Sequence, residues 1–304
     1  MADAGEDMRA PKVLSELVAS FCLQKQVAGC SAATVEIYDR WLSALAAEIP
    51  DTHRLDVLSV TRFFSRLRER RLAPNSLHQC YRTVKTFTRW CLALGVLRRN
   101  PLDGFVLKTP RTLPSVPSPE DVAALLKRCP ATGFIGLRAR AIVLFLADSG
   151  VRQSELRHLM IEHVDVSART ALVRGGKGAK DRPVVFGPIT ARALRQWLAV
   201  HPYPHPESPL FCAKNGNPIQ KRNLVHTLHR LSISAKLARK VGPHALRHFA
   251  ATSWLRHGVG LDQVRRLLGH SSLQTTLRYS SLVATDLKAA HKEASAVEKM
   301  RLVD

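Results

Sequence analysis

A group of cationic side chains and one phenol in the second half of the chain has the composition needed to act on a phosphodiester. The group lies in five short motifs, GVRQSEL at 150–156, RGGKGAKDR at 174–182, HALRH at 244–248, LGH at 268–270 and LRYSS at 277–281. Its members are Arg152, Lys177, His244, Arg247, His270 and Tyr279. An arginine guanidinium is a planar fork that can bind a phosphate through two parallel hydrogen bonds. The set therefore suits a site that binds a phosphodiester, stabilises a pentacoordinate transition state and attacks phosphorus with a phenol.

Each motif taken alone has a plainer explanation. An arginine before a helix is most often a surface residue, GGKG is most often a solvated hairpin turn, and a single tyrosine in a helix is most often core. The GGKG segment lacks the spacing of a P-loop, GxxxxGKS or GxxxxGKT. HALRH puts histidines at i and i+4, as zinc would need, but HExxH is absent and no third ligand lies at a recognisable spacing. The five motifs together favour the phosphodiester site, and the sequence predicts no metal site and no bound cofactor.

The elements that must position these residues are mostly helices, so the fold class is mainly α. In the first hundred residues we expect four helices, near 12–25, 31–48, 59–71 and 74–94. Closely spaced prolines between 101 and 119 then predict an extended linker. The predicted organisation is a helical domain at 1–110, a linker at 111–117 and a second domain at 118–304.

The second domain is predicted to be mixed α/β with a small antiparallel sheet. Ser118 and Pro119 indicate a capped helix start, and TALVRGGKGAKDRPVVF at 170–186 indicates a β-hairpin. Further helices are expected near 138–148, 190–200, 219–237, 243–257, 261–268 and 272–279.

The charge of the chain points to a polyanionic partner. The 304 residues include 46 Lys and Arg against 24 Asp and Glu, a formal net charge of +22. Residues 1–110 carry 16 basic and 11 acidic side chains, and residues 111–304 carry 30 and 13, so the excess is concentrated around the motifs. An apolar fraction of 45% is typical of a folded chain. A folded domain with such a strong positive electrostatic field is expected to bind nucleic acid.

Two basic stripes in the first domain are candidate DNA contacts. Their spacings of three and four residues align the side chains on one helix face, where cations can follow a phosphate backbone. An ordinary solvated face is the alternative that spacing alone leaves open. The candidates are Arg62, Arg66, Arg82, Lys85 and Arg89.

Cysteine usage and the amino terminus predict a cytoplasmic protein without a membrane partner. The six cysteines form no CxxC pair, and the first dozen residues lack the apolar stretch of a signal peptide. The apolar run at 141–147 is too short to span a bilayer.

In this order, the five motifs resemble those of the tyrosine recombinases, also called the phage integrase family, and most closely the bacterial Xer-type simple recombinases. The resemblance covers nearly the whole chain. It implies that the first domain is a SAM-like core-binding domain and that the second is the catalytic domain. It also implies a recombinase that cuts and rejoins double-stranded DNA through a 3′-phosphotyrosine and a Holliday junction, without metal or ATP.

The resemblance implies a role for each matched residue. Arg152 and Arg247 clamp the scissile phosphate, and Lys177 is the general acid to the 5′ leaving oxygen. His244 transfers a proton at the nucleophile, which is Tyr279, and His270 hydrogen-bonds the phosphate. Three further residues are assigned around this set: Glu155 as an acid that holds the site together, and Lys180 and Arg182 as nearby DNA contacts. A phenol in water has a pKa of about 10, so the nucleophile must lose its proton on the enzyme.

Family resemblance also implies a tetramer on two DNA sites, made of one kind of subunit or including a second recombinase, in a bacterial cytoplasm at the nucleoid. The segment after 283 would dock on a neighbouring protomer through a stripe at Leu287, Ala290, Ala294 and Val297, or pack on its own domain or fray. The sequence leaves the target site open, and with it the choice between chromosome-dimer resolution and a plasmid, transposon or phage role.

Three other classes of protein compete with this interpretation. A type IB topoisomerase shares the chemistry but would only relax supercoils. A DNA-binding protein without catalysis would not need the intact set of motifs. A metal-dependent nuclease would need clustered carboxylates, and the acidic residues here are scattered.

Overall fold

The computed structural model describes residues 13–108, 116–174, 181–270 and 272–283. The described residues up to 108 belong to one compact unit and those from 116 onward to another. The predicted linker at 111–117 is therefore described only at its last two residues. The predicted carboxyl-terminal stripe lies outside the described residues.

The first unit is helical, as predicted. Its elements are α1 (Leu14–Val27), α2 (Ala32–Glu48), a 3-10 turn (Thr52–Arg54), α3 (Val57–Glu69) and α4 (Pro74–Ala93). The expected cap at Ser31 is present, since its side chain accepts a hydrogen bond from the Thr34 backbone N–H. Helix α3 begins two residues earlier than predicted, because Asp56 and Ser59 form a capping box there.

An aromatic core holds the first unit together. Phe21, Phe63 and Phe87 are fully buried. The Phe21 ring makes edge contacts with Tyr38 on α2 and with Phe87 and Trp90 on α4. Such pairs contribute beyond the area they bury, so α1 is fixed against both helices.

The second unit combines helices with the predicted small antiparallel sheet. Its helices are α5 (Pro119–Lys127), α6 (Gly133–Ser149), α7 (Gln153–Arg157), α8 (Pro188–Leu198), α9 (Lys221–Ser234), α10 (Pro243–Arg256), α11 (Leu261–Leu268) and α12 (Leu273–Val283), with a 3-10 turn at Ile161–His163. The strands are β1 (Val164–Asp165), β2 (Thr170–Val173) and β3 (Arg182–Val185), in the order β1-β2-β3.

The predicted hairpin is formed by β2 and β3, with Thr170 opposite Val185 and Val173 opposite Arg182. Residues 175–180 at its turn, including Lys177 and Lys180, lie outside the described residues. The short strand β1 was not predicted, and the five-residue helix α7 was expected after Arg152 only as a helix without stated bounds. Neither is long enough to show a hydrophobic period.

Helix α6 begins at Gly133, five residues before its predicted start. Glycines at 133 and 136 lower the helix propensity of this segment, and that concealed its first turn. The structure gives a reason for Gly136: a Cβ there would lie 2.2 Å from the Pro130 carbonyl oxygen. The close approach of the first turn of α6 to Pro130 therefore requires glycine at position 136.

The core of the second unit surrounds α6, which packs against α8 and α10. A smaller cluster joins α10, α11 and α12 and contains Ala251, Val264, Leu268 and Tyr279. In the part of the chain that the structure describes, no helix is long and apolar enough to cross a membrane.

Candidate active site

The structure brings five of the six motif residues to the region where α7, α10, α11 and α12 meet. Lys177, the sixth, lies outside the described residues. Two arginines, Arg152 and Arg247, are linked through the turn after α11, and two histidines, His248 and His270, contact Tyr279. The site is thus built from distant segments of the chain: Arg152 is hydrogen-bonded to Gly269, 117 residues further on.

Arg152 is the cap residue of α7, and its side chain is fixed on two sides. One terminal nitrogen donates to Oε1 of Glu155 at 2.6 Å, and the other donates to the Gly269 carbonyl at 2.8 Å. The Arg152 backbone N–H also donates to Oε2 of Glu155 at 2.7 Å. One carboxylate therefore caps α7 and orients the Arg152 fork.

Arg247 lies on α10 and is only 4% exposed. Its two terminal nitrogens donate to the carbonyls of Gly150 at 2.6 Å and Leu268 at 2.8 Å. Burial first, and then the positive charge of Arg152, lower the pKa of Arg247 to about 10. The guanidinium stays protonated at neutral pH, and a buried cation of this kind is a strong attractor for an anion.

Glu155 is the carboxylate that pairs with the arginines of the site, and it is 8% exposed. Besides Arg152, it accepts a hydrogen bond from Arg182, whose terminal nitrogen lies 2.6 Å from Oε2. Burial raises the pKa of Glu155, but the Arg152 backbone N–H and the charges of Arg182 and Arg152 outweigh burial. Its pKa therefore lies below the ordinary value of 4.5 and the carboxylate is ionised at neutral pH.

Two glycines make the turns of the site possible. Gly150 ends α6 at φ +61° and Gly269 ends α11 at φ +64°, both in the left-handed region that favours glycine. A Cβ on Gly269 would lie 2.3 Å from Nε of Arg182. Their carbonyls accept the hydrogen bonds of Arg247 and Arg152 respectively. The glycines thus shape the backbone that holds the arginine forks.

His244 stands at the start of α10 with an exposed side chain. Partial removal from water, followed by the positive charge of Arg247, lowers the pKa of His244 below its ordinary value of 6.5. The imidazole is therefore neutral at pH 7 and can accept a proton.

Tyr279 is 2% exposed, and its ring contacts the rings of two histidines. Its hydroxyl is hydrogen-bonded to Nδ1 of His248 at 2.8 Å. The His270 ring lies parallel to the tyrosine ring, with centroids 6.3 Å apart, and Nδ1 of His270 is hydrogen-bonded to the Thr276 hydroxyl at 2.9 Å. No role for His248 was predicted from the sequence, although its position in HALRH, one helical turn after His244, places it on the same helix face.

The basic stripes of the first unit are only partly free for a ligand. Arg62, Arg82 and Arg89 are exposed. Arg66 is paired with Glu48 at 2.9 Å, and Lys85 is half-buried over the Tyr81 ring. Whether these side chains contact DNA stays a prediction.

A polar groove of about 510 Å³ between α2 and α4 surrounds one stripe residue, Arg82. Asn75, His78 and Gln79 line the same groove and were not singled out from the sequence. Their amide and imidazole groups are of the kinds that contact base edges or phosphates.

Within residues 13–108, 116–174, 181–270 and 272–283, no group of three or more His, Cys, Asp or Glu side chains could hold a metal ion. All six cysteines are free thiols. The functional groups of the described site belong to arginine, histidine, glutamate and tyrosine side chains.

Comparison with known proteins identifies the class to which this fold and site belong. The sequence profile described as "Phage integrase family" matches residues 117–285, which is more than half of the chain. The chain therefore belongs to the phage integrase family and is a tyrosine-type site-specific recombinase.

The similarity to particular relatives covers almost the whole chain. The chain is 30% identical to the tyrosine recombinase XerA of Pyrococcus furiosus over 299 residues, covering 96% of this chain and 99% of the relative. It is 33% identical to the tyrosine recombinase XerC of Corynebacterium efficiens over 294 residues, covering 95% and 94%. Its fold is similar to that of the Tn1549 transposon integrase solved with transposon right end DNA, with a TM-score of 0.75, 20% identity and coverage of 94% and 100%.

Proposed function

We propose that this recombinase cuts and rejoins double-stranded DNA through a covalent bond between Tyr279 and a 3′ phosphate, and exchanges strands through a Holliday junction. The observation that supports this most is the turn at 268–270. Its carbonyls accept hydrogen bonds from both Arg152 and Arg247, and α12, which carries Tyr279, begins three residues later. One short segment therefore binds both guanidinium groups and leads directly into the helix that carries the phenol.

The clamp consists of the two guanidinium groups. Each has five N–H donors, and the contacts with carbonyls and Glu155 described above use two of them in each case. The remaining donors of Arg152 and Arg247 are proposed to hold the non-bridging oxygens of the scissile phosphate. Because they are fixed before DNA binds, they stabilise the developing charge at little reorganisation cost. His270 is proposed to add a hydrogen bond to the same phosphate.

Cleavage is a transesterification that conserves the phosphodiester. The phenolic oxygen of Tyr279 bonds to phosphorus while the bond from phosphorus to the 5′ oxygen breaks. The phenolic proton passes to an imidazole, and the 5′ oxygen takes a proton from a general acid, for which Lys177 stays the predicted donor. A 5′-hydroxyl of another strand can reverse the step, so no ATP is required.

Two imidazoles one turn apart on α10 are candidates to receive the phenolic proton. The neutral His244 is the candidate from family resemblance, and His248 is the hydrogen-bond partner of the hydroxyl in this structure. Since Tyr279 is 2% exposed, we propose that α12 shifts on DNA before the phenolic oxygen reaches phosphorus.

We propose double-stranded DNA as the substrate and a tetramer on two sites as the active assembly, with one kind of subunit or with a second recombinase. The net charge of +22 and the DNA complex of the Tn1549 transposon integrase support this. Such an enzyme would act at the nucleoid in a bacterial cytoplasm. Integration, excision and dimer resolution are all compatible with the proposal.

A covalent-trapping assay tests the proposal. Duplexes that the wild-type protein retains from a randomised pool are rebuilt with a nick near the bound centre, so that the short 5′-hydroxyl fragment diffuses away after cleavage. Without added metal, the wild type should form an SDS-resistant adduct and Tyr279→Phe should form none. Tyr203→Phe, at a tyrosine that is 51% exposed, is the matched control and should react normally.

An undiminished adduct with Tyr279→Phe would refute the nucleophile. A second arm uses two bound sites on one supercoiled plasmid. Recombinant products are expected, whereas relaxation of the plasmid without exchange would favour a type IB topoisomerase.

A further inference from the structure

Arg182 is the first residue of β3, and its side chain points into the site, whereas the sequence interpretation places it in contact with DNA. Its side chain is 13% exposed. One terminal nitrogen donates to Oε2 of Glu155 at 2.6 Å and the other donates to the Leu267 carbonyl at 3.2 Å. The side chain therefore joins the hairpin to α7 and to the end of α11.

The path of the Arg182 side chain requires glycine at position 269. Its guanidinium passes Gly269, where a Cβ would lie 2.3 Å from Nε and 2.5 Å from Cδ. Nε of Arg182 is buried and has no hydrogen-bond partner among the described residues. A DNA phosphate cannot reach this nitrogen unless the side chain leaves the site.

Arg182 and Arg152 are coupled through one carboxylate. Oε1 of Glu155 accepts from the Arg152 side chain, and Oε2 accepts from both Arg182 and the Arg152 backbone. Loss of Arg182 removes a charged donor from Oε2, so the carboxylate gains freedom to rotate. The hold of Glu155 on the Arg152 fork then weakens.

We propose that Arg182 is a positioning residue that acts through Glu155 to aim the Arg152 fork at the scissile phosphate. This inference rests on the proposed function, because it needs Arg152 to act in cleavage. A displacement of about 1 Å in such a group can cost 100-fold in rate, so removal of Arg182 should slow the chemical step rather than DNA binding.

The test is a double-substitution cycle on the selected nicked duplex. Wild type, Arg182→Ala, Arg182→Lys, Arg152→Ala and the Arg182→Ala/Arg152→Ala double variant are compared for single-turnover cleavage at saturating DNA. The dissociation constant is measured over a range of salt concentrations. Arg192→Ala, at an exposed arginine of α8, is the control for loss of one positive charge.

We expect Arg182→Ala to bind DNA with the wild-type salt dependence and to cleave about 10- to 100-fold more slowly at saturation. Arg182→Lys should recover part of the rate, since an ammonium can still pair with Glu155. In the Arg152→Ala background, the further change at Arg182 should alter the rate less than about twofold, because coupled groups are not additive.

Two results would overturn the inference. A salt slope that falls by about one unit in Arg182→Ala would make Arg182 a phosphate contact, and a full effect in the Arg152→Ala background would make it independent of Arg152. A normal cleavage rate in Arg152→Ala alone would instead overturn the proposed function. If thermal melting finds Arg182→Ala unfolded, Arg182→Lys in both backgrounds supplies the cycle.

Discussion

Replacing Glu155 with glutamine tests whether one carboxylate holds the site together. Three hydrogen bonds reach it, at 2.7 Å from the Arg152 backbone and at 2.6 Å from each of the Arg152 and Arg182 side chains. An amide offers one acceptor oxygen, and its NH₂ group must face an arginine donor. The substitution therefore leaves a buried guanidinium without its counter-charge.

The expected loss is large because the group is buried. Removing one partner of a buried ion pair costs about 3–5 kcal/mol, and Glu155 is 8% exposed. Since the glutamine retains part of the hydrogen bonding, we expect Glu155→Gln to lower the free energy of unfolding by about 3 kcal/mol at pH 7. That is a substantial share of the roughly 5–15 kcal/mol typical of a folded protein.

The loss should depend on pH in a defined direction. The folded-state pKa of Glu155 is lowered from 4.5, so its charge contributes stability that is fully present above about pH 4.5. That contribution is lost as the pH falls through the lower folded-state pKa. The difference between wild type and Glu155→Gln should be constant from pH 7 to about 5 and shrink in more acidic solution.

Urea unfolding followed by circular dichroism at several pH values measures this difference. Glu162→Gln is the control: this glutamate is exposed and contacts only a histidine in the described ion pairs, at 3.4 Å, so its loss should cost less than about 1 kcal/mol. Equal stability of wild type and Glu155→Gln at pH 7, or a difference that does not vary between pH 5 and 3, would refute the role given to this carboxylate.

Three further outcomes are expected. Gly269→Ala should lower the free energy of unfolding, measured by thermal melting, by about 1–3 kcal/mol more than Gly258→Ala does. Both glycines have positive φ, but only a Cβ at position 269 would meet another side chain, that of Arg182. Equal losses in the two variants would contradict the packing of Arg182 against Gly269. His248→Phe should slow cleavage about 100-fold at pH 7 with partial recovery at high pH, and an unchanged pH–rate profile would exclude proton transfer there. Arg82→Ala should lower the salt slope of DNA binding by about 0.9, whereas Arg54→Ala, outside the stripes and beside Asp51, should leave it unchanged; identical slopes would identify the stripe as a solvated face.

The fold could be predicted where local signals and packing agree. Ser31 and Ser118 cap helices as expected, because capping depends on the side chain and three following residues. The early start of α6 was hidden, because its glycines serve a close approach to Pro130 that no local pattern reveals. The family and the mainly helical fold were both confirmed.

The motif residues were visible from type and order, but their partners were not. Arg152 reaches the carbonyl of Gly269, 117 residues away, and only the tertiary fold brings them together. HALRH offered two histidines on one helix face, and spacing alone could not tell that His248 would contact the tyrosine. Arg182 looked like a surface cation because a hairpin end beside a lysine-rich turn gives no sign of the side chain's direction.

The central claim is that Tyr279 becomes joined to a 3′ phosphate, and peptide mapping of the trapped adduct tests it most directly. After digestion with trypsin and nuclease, the peptide at 279–288 should carry the nucleotide remnant, and fragmentation should place it on Tyr279. End-labelling should find the retained strand attached through its 3′ end. A remnant on Ser280 or Ser281 of the same peptide, on another residue, or on a 5′ end would contradict the account.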